Sequence, residues 1–241
     1  VTHSAIDELD DAIIDYVFLL NTDDGVTRAS CFKAAVREAR GLTRRDEHTG
    51  EHRDAAGDPC WSGALMYLVV LEQLGNVLRP KGATTQTGQA GVLEALRHFA
   101  PELPVDEREA LYALRNAFAH EFGLTNGPPG AKNPNRWHAF ALFPDGKGLV
   151  ALPAVRWNGL YGDKSTPGRT EISLRALGDL VERIVEDVED RAREKTLELT
   201  PNVLGGADEL RDRFSFTFVN TDDEDELDED LAGDWEPEHE Q

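Results

Sequence analysis

The sequence predicts a mainly α-helical protein: a helical bundle in the first half, then an added β-hairpin and a long C-terminal helix. Three observations carry that reading. Apolar residues recur every three or four positions over several long segments, the signature of one buried helix face. Two-residue alternation is confined to short aromatic or β-branched stretches after residue 136. The longest unbroken apolar block, Ala64 to Leu71, has eight residues, which suits a buried helix and is far too short to span a membrane.

Taken in order, Ala5 to Leu20 places Ile6, Leu9, Ile13, Val17 and Leu20 at helical spacing, with acids crowding its first turns. A second helix is expected from Val26 to Arg40, ending near Gly41. Residues 43–59 are polar and unpatterned, which predicts a mobile loop. Trp61 to Leu78 is the most apolar helix and stops at Pro80. A short helix follows near Val92–Phe99, and Asp106 can cap another from Glu107 to Phe122, broken at Gly123 and the GPPG turn. Trp137–Phe143 and Leu149–Val155, joined by PDGKG, read as a hairpin. Ile172 to Lys195 carries one stripe, Leu177, Leu180, Val181, Ile184 and Val188, opposite a densely charged face. That stripe packs on its own bundle or pairs with a copy. Phe214, Phe216 and Phe218 alternate with polar residues, so a last strand is expected.

These elements divide the chain into a bundle over 1–125 and a hairpin plus long helix over 131–219, the latter packed on the bundle or part of the same domain. Residues 220–241 form an acidic tail too charged to fold alone. The 241 residues hold 25 Lys+Arg and 46 Asp+Glu, for a net charge of −21. Twelve of those acids, with no Lys or Arg, fall in 222–241, so the rest of the chain stands at −9. A pI near 4.6 argues against a general nucleic-acid coat or an anionic-membrane binder. The acidic N-terminal stretch is unlike a secretory signal, which predicts a cytoplasmic protein. Cys31 and Cys60 are unclustered and are expected as buried thiols.

The segment richest in chemistry is Leu111–Leu124, LYALRNAFAHEFGL. Leu111, Leu114, Phe118 and Phe122 share a narrow arc and should face the core. Asn116 and His120 share the other face. Arg115 sits on the flank, about 140° from His120 on an ideal wheel. One straight helix therefore does not join Arg115 to His120 by itself; a second helix, or the same helix of a two-fold partner, is expected to complete the site.

Here the sequence resembles the HEPN superfamily of small helical bundles, whose motif is Arg, a polar residue often Asn, a spacer, and His near a helix end. This chain supplies it as Arg115-Asn116-Ala117-Phe118-Ala119-His120. The motif covers six residues, and the preceding helices extend the likeness in outline to about residue 125. The resemblance implies a HEPN-like bundle that cleaves RNA without a metal or other cofactor, at a site between two copies. It implies that Arg115 stabilises the phosphorane, His120 serves as general acid or base, and Asn116 orients His120 or holds a phosphate oxygen. It also implies a toxin or phage-defence setting, with an antitoxin or regulatory protein as a possible partner. Family members modified by a nucleotidyltransferase carry an aromatic hydroxyl two residues after the His; Phe122 has none, so that regulation is not expected. The alternative is a non-catalytic HEPN-like module that binds a nucleotide or a protein.

A basic island over 131–170 holds Lys132, Arg136, Lys147, Arg156, Lys164 and Arg169 against Asp145 and Asp163, a local +4. Trp137, His138, Trp157 and Tyr161 are interleaved with those cations. Cations follow phosphates and aromatic faces stack bases, so Arg136, Trp137, Lys147, Arg156 and Trp157 are the candidate RNA-binding residues. Against this, Trp137 and Trp157 also fit the core of a hairpin. His48 and His52 lack a third ligand at metal spacing, and GATTQTG lacks the strand and Gly-Lys ending of a phosphate loop.

Overall fold

The computed structural model describes residues 3–18, 21–23, 26–52, 60–84, 88–121, 123–127, 137–160 and 168–219. Among them the chain is mixed α/β and rich in helix, with seven α-helices and nine short strands, rather than mainly α. Helix α1 (His3–Ala12) passes into a π-helical segment (Ile13–Phe18). Strands β1 (Asn21–Asp23) and β2 (Val26–Ser30) follow, then α2 (Cys31–Leu42). The helix expected from Val26 thus begins five residues later. Ser30 explains the boundary: its Oγ accepts from Lys33 N at 3.2 Å, capping α2, and donates to Val17 O at 2.6 Å.

Helix α3 (Trp61–Val77) runs directly into β3 (Leu78–Pro80), and α4 (Gly91–Phe99) packs against it. Helix α5 (Val105–Glu121) starts at Val105, which leaves Asp106 inside the first turn rather than at the cap. Then come β4 (Thr125–Asn126), β5 (His138–Phe143), β6 (Val150–Ala151), β7 (Arg169–Ser173), α6 (Leu174–Arg193), β8 (Leu197–Leu199), α7 (Gly206–Phe214) and β9 (Ser215–Val219). The three sheets have strand orders β1-β2-β9, β3-β8 and β4-β5-β7-β6.

The expected hairpin does not form. Strand β7 lies between its two arms, parallel to β5 and antiparallel to β6, with Ile172 opposite both Leu142 and Val150. Ile172 continues the apolar phase of α6, so a strand residue reads as the start of the helix. Ser173 sets the true start, its Oγ accepting from Ala176 N at 3.2 Å. The last strand is present as β9, whereas Phe214 ends α7, a helix without an expected counterpart.

One hydrophobic cluster draws on both halves of the chain. Tyr67, Leu68, Leu71 and Leu74 of α3 meet Leu111, Leu114 and Phe118 of α5, the full α6 stripe, and Phe140 and Ile172 of the four-stranded sheet. Each such large side chain contributes about 1.5–3 kcal/mol on burial. The loop after α2 is built rather than loose: Arg45 bridges to His52 and is itself buried, while 53–59 lie outside the described residues. The thiols also differ from expectation, with Cys31 exposed as the first residue of α2 and Cys60 half-buried.

Candidate active site on α5

Helix α5 buries Leu111, Leu114 and Phe118, which turns Asn116 outward and leaves His120 exposed in the last turn. The side chain of Phe122 lies outside the described residues. Arg115 is half-buried on the flank, and its Nη1 donates to Asn116 Oδ1 at 3.3 Å and to His120 Nε2 at 3.3 Å. This corrects the wheel argument: one helix of one copy brings all three together. A wheel measures Cα positions, whereas an extended arginine reaches across a full turn.

A guanidinium can only donate, so in this contact His120 Nε2 is the acceptor.

A second helix does contribute, though through a residue that the motif does not include. Glu72 of α3 takes Arg115 Nε at 2.7 Å on Oε2, and Nη2 donates to the same oxygen. Both side chains are largely desolvated, 19% exposed for Arg115 and 17% for Glu72. The signal was present in the sequence: Glu72 is the single charged residue between Trp61 and Val77. A charge in such a helix is costly unless it has a partner. A separate cavity of about 400 Å³, lined by Cys31, Phe32, Val69, Gln73, Arg213 and Phe214 among others, contains none of these residues. Within the cluster His120 is exposed, whereas Glu72, Arg115 and Asn116 are half-buried.

The proposed RNA surface is not assembled as expected. Trp157 is 8% exposed, and its Nε1 donates to Leu160 O at 3.2 Å, so its ring offers no free face to a base. Trp137 is half-buried against Gly127 and Gly159; a Cβ at Gly127 would come within 2.7 Å of the indole. His138 is buried, within hydrogen-bond distance of Thr170 Oγ1 at 2.8 Å. Arg156 pairs with Asp106 at 3.4 Å. Asp106 lies fourteen residues before His120, at the opposite end of α5, about 21 Å away by helical rise. Lys147 and Arg169 are exposed, while Lys132, Arg136, Tyr161 and Lys164 lie outside the described residues.

Among the described residues no cluster of three or more His, Cys, Asp or Glu could hold a metal ion, and no helix is long and apolar enough to cross a membrane. His52 binds Asp179 rather than pairing with His48. No protein-family model, curated protein or solved structure matches the chain.

Proposed function

We propose that the chain is a metal-independent endoribonuclease of the HEPN type that acts as a homodimer. The observation that carries this reading is the hydrogen-bonded Arg115–Asn116–His120 cluster at the exposed end of α5. In the proposed reaction the ribose 2′-oxygen attacks the adjacent phosphorus while His120 Nε2, freed as Arg115 Nη1 turns from it to the phosphate, takes its proton. The bond from phosphorus to the 5′-oxygen breaks, and that oxygen is protonated as it leaves. Arg115 Nη1 stabilises the extra charge on the phosphorane, and Asn116 helps to hold His120 or a phosphate oxygen. The products are a 2′,3′-cyclic phosphate and a 5′-hydroxyl.

Two proton transfers need a base and an acid, whereas each copy brings one histidine to the cluster. A second copy would supply the other. Trp61 of α3, 45% exposed beside Phe118 of α5, offers such pairing an apolar contact near the cluster, on the helix that also carries Glu72. A toxin or phage-defence setting, with a restraining partner protein, belongs to this proposal by family analogy.

A non-catalytic nucleotide- or protein-binding role is favoured by one contact, the Glu72 carboxylate that already neutralises Arg115. The two readings separate in one assay. RNA is incubated in EDTA with the wild type, Arg115→Ala and His120→Ala, and the product ends are identified. Loss of cyclic-phosphate product in both variants supports the nuclease. Equal cleavage by all three proteins sinks it, and binding without cleavage by the wild type supports the alternative. Trp61→Asp should shift a dimer to a monomer in light scattering and abolish cleavage together.

A further inference from the structure

We infer that Glu72 is the positioning residue of the α5 site, holding the guanidinium of Arg115 by one edge so that Nη1 alone faces Asn116, His120 and the substrate phosphate. The inference rests on the ribonuclease reading for its substrate, though not for its geometry. Glu72 Oε2 takes both Nε and Nη2, which removes the rotational freedom of the long side chain. The remaining nitrogen is then directed along α5 toward the two polar groups of the motif. A leucine or methionine at position 72 would suit the apolar helix without the desolvation cost of a carboxylate. Glu72 touches no reacting atom in this arrangement and acts through Arg115.

A displacement of about 1 Å in a catalytic group can cost about 100-fold in rate. Glu72→Ala should therefore lower kcat on a single-stranded RNA oligonucleotide about 100-fold, with KM little changed. Glu72→Gln keeps one oxygen acceptor and should recover roughly tenfold of that loss. The dissociation constant for the same oligonucleotide in all-2′-deoxy form, which cannot be cleaved, should stay within about threefold.

The geometry is read separately by following the Nε–H signal of Arg115 by NMR, which should exchange slowly in the wild type and rapidly in Glu72→Ala. Wild-type kcat in Glu72→Ala overturns the inference, and so does faster cleavage with tighter binding, which would make Glu72 a restraint. If Arg115→Ala and His120→Ala leave cleavage intact, the nuclease reading fails by itself. An Arg115 signal unchanged in Glu72→Ala then still overturns the positioning role, whereas its loss upholds it.

Discussion

Arg45, 4% exposed, donates through Nη2 to Asp179 Oδ1 at 2.6 Å and thereby fastens the loop after α2 to the outside of α6. The same guanidinium donates to Gly50 O and Arg175 O, each at 3.0 Å. Gly178 leaves room for it, since a Cβ there would lie 2.8 Å from Nη2. Arg45→Ala should lower unfolding free energy by about 2 kcal/mol, measured by urea denaturation with an unchanged m-value. Burial alone would raise the Asp179 carboxyl, but hydrogen bonds from Arg45 and His52 outweigh it and hold the pKa below the usual range. A depressed folded pKa adds stability above about pH 4, which is lost as pH falls through the folded value. Asp179 is more than half exposed, so the effect is small. Asp179→Asn should flatten the acid side of the stability curve.

Tyr67 links α3 to α6. Its buried hydroxyl donates to Glu182 Oε1 at 2.6 Å, and Arg40 of α2 donates to both oxygens of the same carboxylate. Burial first, then the hydrogen bond to Glu182 and its charge, push the phenol far above its ordinary range. The folded form therefore keeps its proton where the unfolded form loses it, and stability falls as pH rises above about 10. Tyr67→Phe should cost about 1 kcal/mol at neutral pH and weaken that alkaline loss. In an absorbance titration, one of the four tyrosines should stay un-ionised until the protein unfolds.

What was legible in the sequence divides along a physical line. Helices α3 and α6 declare themselves locally, since each residue of a stripe packs with neighbours three and four positions away. The order β5-β7-β6 depends on pairing between segments twenty to thirty residues apart, which no local pattern records. Strands β2 and β7 are hidden for a further reason. Each runs into a helix with no loop between, and a single serine, Ser30 or Ser173, marks the join. At the site, the motif named Arg115, Asn116 and His120 but gave the wrong geometry, because wheel angles ignore the reach of arginine. Glu72 stood out as a lone charge; only the packing of α3 beside α5 reveals its partner.

The contact between α3 and α4 is made by backbone. A Cβ at Gly75 would lie 1.9 Å from Gly91 O and 2.6 Å from Ala95 N. No rotamer relieves a clash with main-chain atoms, so Gly75→Ala must push the helices apart and should cost about 3 kcal/mol. Gly82 makes the contrast. Its φ of +78° favours glycine, but a Cβ there meets nothing within 4 Å. Gly82→Ala should cost about 1 kcal/mol, so the two melting temperatures separate crowding from backbone strain.

The acidic tail bears on the charge argument against RNA. Residues 222–241, which lie outside the described residues, hold twelve acids and no Lys or Arg, while exposed Lys147 and Arg169 are cationic. A tethered polyanion meets such groups at high effective concentration and competes with phosphates for them. Deleting 222–241 should raise RNA affinity by about tenfold near 10 mM salt, where the Debye length is about 30 Å. The gain should shrink toward unity at physiological salt, where screening weakens tail and RNA alike. Fluorescence anisotropy with a non-cleavable oligonucleotide at both salts decides the matter. Equal affinity with and without the tail at both salts would assign those charges to solubility alone.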